Sequence, residues 1–269
     1  MVGQMRHLGL DLGATFVKWV VLEGDDVTGE GKLETGAADG PGAVLGRLVA
    51  AGRVAGSVDT VGIGVPGLFD GARGCTTFLP NLPGDWSELP VAAHIGTELG
   101  APAALINDAR AFALAESVLG AARGCDCAVF VAVGTGVGGG ITVGGALYAG
   151  REGRAGEIGH LTIGENGPLC TCGNRGCLEA YVREALGANR LKRAGRLLGV
   201  GVANAIVLLA PDRVVVGGGV GAVGEKLLEP LRAELARRVF VSVPVDVVQA
   251  ELGVLAGAVG AALRGAGRG

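Results

Sequence analysis

Short apolar runs broken by glycine turns dominate the first part of the chain. His7 to Leu22 reads as strand, turn and strand: an apolar run to Leu10, the turn Asp11-Leu-Gly-Ala-Thr15, then Phe16-Val-Lys-Trp-Val-Val-Leu22. Ala43 to Ala51 has helical spacing, and Thr60 to Val65 predicts a buried strand stopped by Pro66-Gly67. Val91 to Leu99 predicts an amphipathic helix ended by Gly100. Ala104 to Ile106 predicts a short strand, after which Asn107-Asp108 caps a helix running to about Leu119.

The pattern then repeats. Ala128 to Val133 is apolar, the glycines from Gly134 to Gly140 predict a turn, and Ile141 to Val143 predicts a returning strand. Helices are expected from near Leu178, over Leu191 to Leu209, over about Gly224 to Arg238, and over Gly253 to Leu263. Arg213 to Val216 predicts a buried strand ending in Gly217-Gly-Gly219. Two strand–turn–strand units, each leading into alternating helices and strands, predict two α/β lobes of similar topology with a cleft between them and a hinge near Asp108 to Arg110.

Composition narrows the function. No apolar run approaches the ~20 residues that span a bilayer, the N-terminus has no signal-peptide character, and the formal charge of -3 disfavours nucleic acid as the main partner. A soluble cytoplasmic protein is expected. Three of the six cysteines crowd into eight positions beside a histidine, which favours a metal over disulfides. Cys125 and Cys127 read as small residues at a strand start.

The densest chemistry lies between residues 157 and 179. His160, Cys170, Cys172 and Cys177 supply the imidazole and three thiolates of a structural Zn2+ site. Glu157 and Glu179 bracket it; each is either a solvated acid or a carboxylate fixed to accept from sugar hydroxyls. His160 is either a plain ligand or one whose second nitrogen also reaches a substrate hydroxyl. The turn at Asp11, Gly13 and Thr15 is either a simple hairpin or a phosphate cradle with Asp11 holding hydrated Mg2+. Gly134, Thr135, Gly136 and Gly138 belong to a second candidate cradle, without the Gly-Lys-Ser/Thr ending of the nucleotide P-loop. Asp108 is either a helix cap or a general base at a strand's carboxyl end. Asn107 beside it could orient a second hydroxyl.

These motifs, in this order, resemble the ROK family of repressors and sugar kinases, within the actin-like ATPase superfamily. The matching stretches are Asp11-Leu-Gly-Ala-Thr15, Gly62-Ile-Gly-Val-Pro-Gly67, Pro80-Asn-Leu-Pro-Gly-Asp-Trp86, Asn107-Asp-Ala109 with Glu116, Gly134 to Gly140, Ala155-Gly-Glu-Ile-Gly-His160, Cys170 to Glu179 and Gly217-Gly-Gly219. The resemblance implies two actin-like (ribonuclease H-like) lobes, a small one over 1–108 plus about 252–269 and a larger one over 109–251. It implies phosphorylation of a hexose 6-hydroxyl by ATP with Mg2+, glucose first, with N-acetylhexosamines, mannose or fructose as alternatives. Asp108 would be the base. Gly67, Asn81, Asn107, Glu157, His160 and Glu179 would hold the sugar. Asp11, Gly13, Ala14, Thr15, Lys18 and the Gly134 turn would face phosphates, with Gly218 and Gly219 by the adenosine. Family members are commonly homodimers, and family regulators carry a DNA-binding segment ahead of the first turn, where only ten residues precede Asp11 here. Two departures stand out. Ala14 and Phe16 alter the first turn and delay its lysine to Lys18. The roughly forty helical residues expected after the cysteine loop are missing between about Arg183 and Arg190, which shortens the second lobe and leaves a sugar binder without catalysis as a further alternative.

Overall fold

The computed structural model describes residues 4–80, 82–239 and 245–268. The chain divides into two compact units, one formed by residues up to Ala115 together with those from Leu255 onward, the other by Glu116–Val254. The first carries β1 (Arg6–Leu12), β2 (Phe16–Glu23), β3 (Asp26–Glu34), α1 (Pro41–Ala55), β4 (Thr60–Val65), β5 (Leu68–Asp70), β6 (Cys75–Phe78), α2 (Val91–Leu99) and β7 (Ala103–Asn107). Helix α3 (Asp108–Val118) passes from this unit to the next. The second carries β8 (Ala128–Val133), β9 (Val137–Val143), β10 (Ala146–Leu147), α4 (Leu178–Gly187), α5 (Leu191–Leu209), β11 (Arg213–Gly217), α6 (Gly218–Gly221), α7 (Glu225–Arg238) and β12 (Asp246–Gln249). Helix α8 (Ala256–Gly265) closes the chain in the first unit.

Each unit is built on a five-stranded sheet, ordered β3-β2-β1-β4-β7 in one and β10-β9-β8-β11-β12 in the other. The pairing repeats as well: the first three strands of each are antiparallel neighbours, and the last two join in parallel. The duplication expected from the glycine turns is therefore a duplication of topology.

Packing explains the residue choices. Leu8 and Leu10 of β1 and Ile63 of β4 face Val44 and Leu48 of α1 in one core. The opposite face meets α8. There Gly9 and Gly62 lie side by side in the β1–β4 register, and a Cβ on either would run into the backbone carbonyl of Ala258 or Ala261. The small residues of α8 and these strand glycines are two halves of one close approach. In the second unit Val129, Val131, Val214 and Val216 pack with Leu178, Leu198, Val202, Leu227 and Leu231.

One sequence expectation changes, and two strands were not read from the sequence. The second glycine turn is confined to the residues before Val137, because Gly138, Gly139 and Gly140 are ladder residues of β9 opposite Ala132, Val131 and Phe130. Strands β3 and β12 carry no clear apolar alternation because both are sheet edges: β3 has no buried residue, and in β12 Val247 alone is buried.

Candidate active site

In the first unit, the parallel strands β1, β4 and β7 end on one edge of the sheet. Asp11 stands level with Gly64, and Gly64 level with Ile106, so Asp11 and the β7 terminus are two strand spacings apart, about 10 Å. Carboxyl ends of parallel strands are where open α/β sheets gather ligands. Asn107 does two jobs there. Its Oδ1 accepts from the backbone N–H of Ala109 (3.1 Å) and Arg110 (3.2 Å), and its Nδ2 donates to the Gly67 carbonyl at 3.3 Å. The predicted cap of α3 is present, and the same side chain ties that helix start to the turn after β4. Asp108 follows, half-buried, with Oδ1 accepting from the Ala109 N–H at 2.7 Å. Asn81 lies outside the described residues.

The first glycine turn is tightly fastened. The Gly13 N–H donates to the Phe16 carbonyl (3.1 Å), the Thr35 hydroxyl to the Gly13 carbonyl (2.6 Å), and the Thr35 N–H to the Thr15 carbonyl (2.9 Å). Ala14 and Thr15 are exposed at its tip. Lys18 is a residue of β2 directly opposite Asp11, and its ammonium sits 2.7 Å from the Asp11 carboxylate. The lysine is thus partnered inside the sheet, with Asp11 also resting against the first turn of α8 at Gly257.

In the second unit, the Gly134 N–H closes the turn on the Gly136 carbonyl at 2.9 Å, leaving Thr135 exposed. Strand β11 runs parallel to β8, and Gly218 (φ 84°) packs against the Val133 backbone at the foot of that turn. Gly219 follows, exposed, at the start of α6.

The cysteine loop meets the requirement of a metal centre. Among the described residues, His160, Cys170, Cys172 and Cys177 form the one His/Cys/Asp/Glu group with candidate ligand atoms this close, all within 4.8 Å of one another. Cys172 Sγ lies 3.7 Å from Cys177 Sγ, and Cys170 Sγ lies 3.7 Å from His160 Nδ1. Zinc with thiolates at about 2.3 Å in a tetrahedron sets its sulfurs about 3.8 Å apart, so these separations fit such an ion. With no metal, burial first and then contact with the Cys172 and Cys170 thiols push Cys177 up to about 12, whereas a backbone N–H at Asn174 is the main influence holding Cys172 low. A metal must therefore displace the Cys177 proton on binding. The loop is pinned by bridges of Thr162 with Cys177 and Leu169 with Arg175.

The two acids sit differently. Glu157 and His160 are exposed at the two ends of one 3-10 turn, with the His160 N–H donating to the Glu157 carbonyl at 3.0 Å. Glu179 is half-buried in the first turn of α4 and accepts from the Val137 N–H at 3.0 Å. The structure thus gathers Asp11, its turn, Gly67, Asn107 and Asp108 in one unit, and Glu157, His160, the cysteines, Glu179, the Gly134 turn and Gly218 in the other.

One residue was noted in the sequence without a role. Glu116 is fully buried, and its carboxylate accepts from the backbone N–H groups of Ala121 (2.9 Å), Glu251 (3.1 Å) and Leu252 (2.8 Å). An acid inside Ala111-Phe-Ala-Leu-Ala-Glu116 was the available signal.

The ROK family profile matches residues 7–189 and 184–264. The two matches overlap over residues 184–189, where α4 gives way to α5. A glucokinase of Thermotoga maritima is 32% identical, with 96% of each chain covered. The xylose repressor of Bacillus subtilis is 32% identical over 67% of this chain and 53% of its own length. Among solved structures, a ROK family glucokinase of Streptomyces griseus in complex with glucose and AMPPNP is 29% identical, covers 97% of this chain and 99% of its own, and superposes with a TM-score of 0.87. The duplicated sheets, the ordered motifs and a profile match over nearly the whole length agree: the chain belongs to the ROK family.

Proposed function

We propose that this protein phosphorylates the 6-hydroxyl of a hexose, glucose first, using ATP. The observation that carries the reading is the match, over 97% of the chain, to the Streptomyces griseus glucokinase in complex with glucose and AMPPNP. Asp108 at the end of β7 supports it, because transfer to an alcohol needs a carboxylate that accepts the hydroxyl proton.

In this reading Asp108 takes the proton as the sugar oxygen attacks the γ-phosphorus. The oxygen–phosphorus bond forms, the bond to the leaving ADP oxygen breaks, and sugar phosphate and ADP depart. Asn107, Gly67 and Asn81 orient the sugar, while Glu157, His160 and Glu179 hold further hydroxyls. The Asp11–Thr15 and Gly134–Gly136 turns receive phosphates through backbone N–H groups at their exposed tips, and Gly218-Gly219 borders the adenosine. Asp11 would hold hydrated Mg2+, which would supply positive charge against that developing on the phosphates. His160, Cys170, Cys172 and Cys177 would hold structural Zn2+, which would fix the loop and the His160 ring and leave the ring's second nitrogen for a hydroxyl. The working protein is a cytoplasmic homodimer with no nucleic-acid partner.

A coupled assay crossing glucose, mannose, fructose, N-acetylglucosamine and N-acetylmannosamine with ATP, GTP and polyphosphate tests this. Highest kcat/KM for glucose with ATP is expected. Preference for an N-acetylhexosamine would move the substrate, and sugar binding without turnover on any donor would overturn the kinase reading.

A further inference from the structure

We infer that Glu179 is a positioning strut joining the cysteine loop to the second glycine turn. The inference rests on the reading above, in which the loop faces the sugar and the turn faces a phosphate. Cys177 is the N-cap of α4, and Glu179 lies two residues on in its first turn, where the positive end of the helix favours a carboxylate. The last sulfur of the loop and the carboxylate are therefore set by the same helix start. One oxygen, Oε2, accepts from the Val137 N–H at 3.0 Å. The other, Oε1, accepts from the Thr171 hydroxyl at 3.4 Å and lies 3.8 Å from Cys170 Sγ. Each end of one carboxylate is thus fastened to a different segment, the loop at residues 170–171 and Val137, the first residue after the turn.

Gly136 supports the strut from the other side. A Cβ there would collide with Glu179 Oε2, so the turn's glycine leaves the space that the carboxylate fills. The consequence is that order in the cysteine loop is passed to the turn. Glu179 then acts on the donor side through Val137, besides any contact with a sugar hydroxyl.

The test reads the turn itself, in metal-loaded full-length protein. The Gly134 amide closes the turn on the Gly136 carbonyl and is not bonded to Glu179, so its hydrogen exchange reports transmitted order. Loss of a hydrogen bond to a charged group should speed exchange by roughly tenfold or more in Glu179→Ala. Gly136→Ala, which displaces the carboxylate while leaving Glu179 in place, should do the same. Glu179→Gln, which keeps an acceptor for Val137 and a donor for Thr171, should remain near wild type. In the kinetic arm, Glu179→Ala should raise the KM for ATP by about tenfold or more, beyond any change for sugar. Unchanged Gly134 exchange in both alanine variants, or a rise confined to the sugar KM, overturns the strut. The exchange arm stands whether or not the wild type phosphorylates any sugar, so failure of the proposed function is seen separately.

Discussion

Replacing Glu116 by alanine removes the acceptor for three backbone donors, that of Ala121 buried and those of Glu251 and Leu252 part-buried. The buried donor left without a partner costs about 1–3 kcal/mol and each part-buried bond lost about 0.5–1.5 kcal/mol, which gives about 2–6 kcal/mol before relaxation. Water entering the vacated space satisfies part of the loss, so about 2–4 kcal/mol is expected. Against a total stability of about 5–15 kcal/mol, that is a large fraction. Glu116→Gln keeps one acceptor oxygen and the side-chain shape, and should fall between wild type and alanine. The choice of assay follows from where the probes lie. Both tryptophans, Trp19 and Trp86, are in the unit that does not contain Glu116, so urea unfolding should be followed by far-UV circular dichroism, which sees both units. A Glu116→Ala chain within 1 kcal/mol of wild type (~1 kcal/mol being the worth of an ordinary hydrogen bond) would refute the clamp.

Two other outcomes can be checked separately. Cys177→Ala should abolish stoichiometric metal in freshly purified protein and open the 160–178 loop to limited proteolysis; full metal content in that variant would contradict the four-ligand centre. Gly62→Ala should lower stability by about 1–3 kcal/mol, because its methyl meets the Ala261 carbonyl of α8, and an unchanged Tm would argue against that close approach.

The buried parts of the fold were legible in sequence. Strand β4, buried on both faces, reads as an unbroken apolar and glycine run, and α2 ends at Gly100, whose positive φ of 67° suits a helix stop. The cysteine spacing pointed to the Cys/His cluster because its members lie close in sequence. What stayed hidden depends on partners distant in sequence. Edge strands β3 and β12 carry little apolar signal. Gly138–Gly140 look like turn residues, yet they pair across the sheet with β8. Lys18 seemed displaced from a phosphate turn until β2 placed it opposite Asp11. Glu116 has its partners at residues 121, 251 and 252, and no local pattern announces those bonds.

The central claim is that Asp108 serves as the base of a sugar kinase. Its most direct test compares wild type with Asp108→Asn for ATP-dependent turnover of glucose, alongside calorimetric glucose binding. General-base removal should cost at least about 100-fold in kcat, while glucose affinity stays within a few-fold of wild type. An asparagine variant that turns over glucose at the wild-type rate would contradict the account.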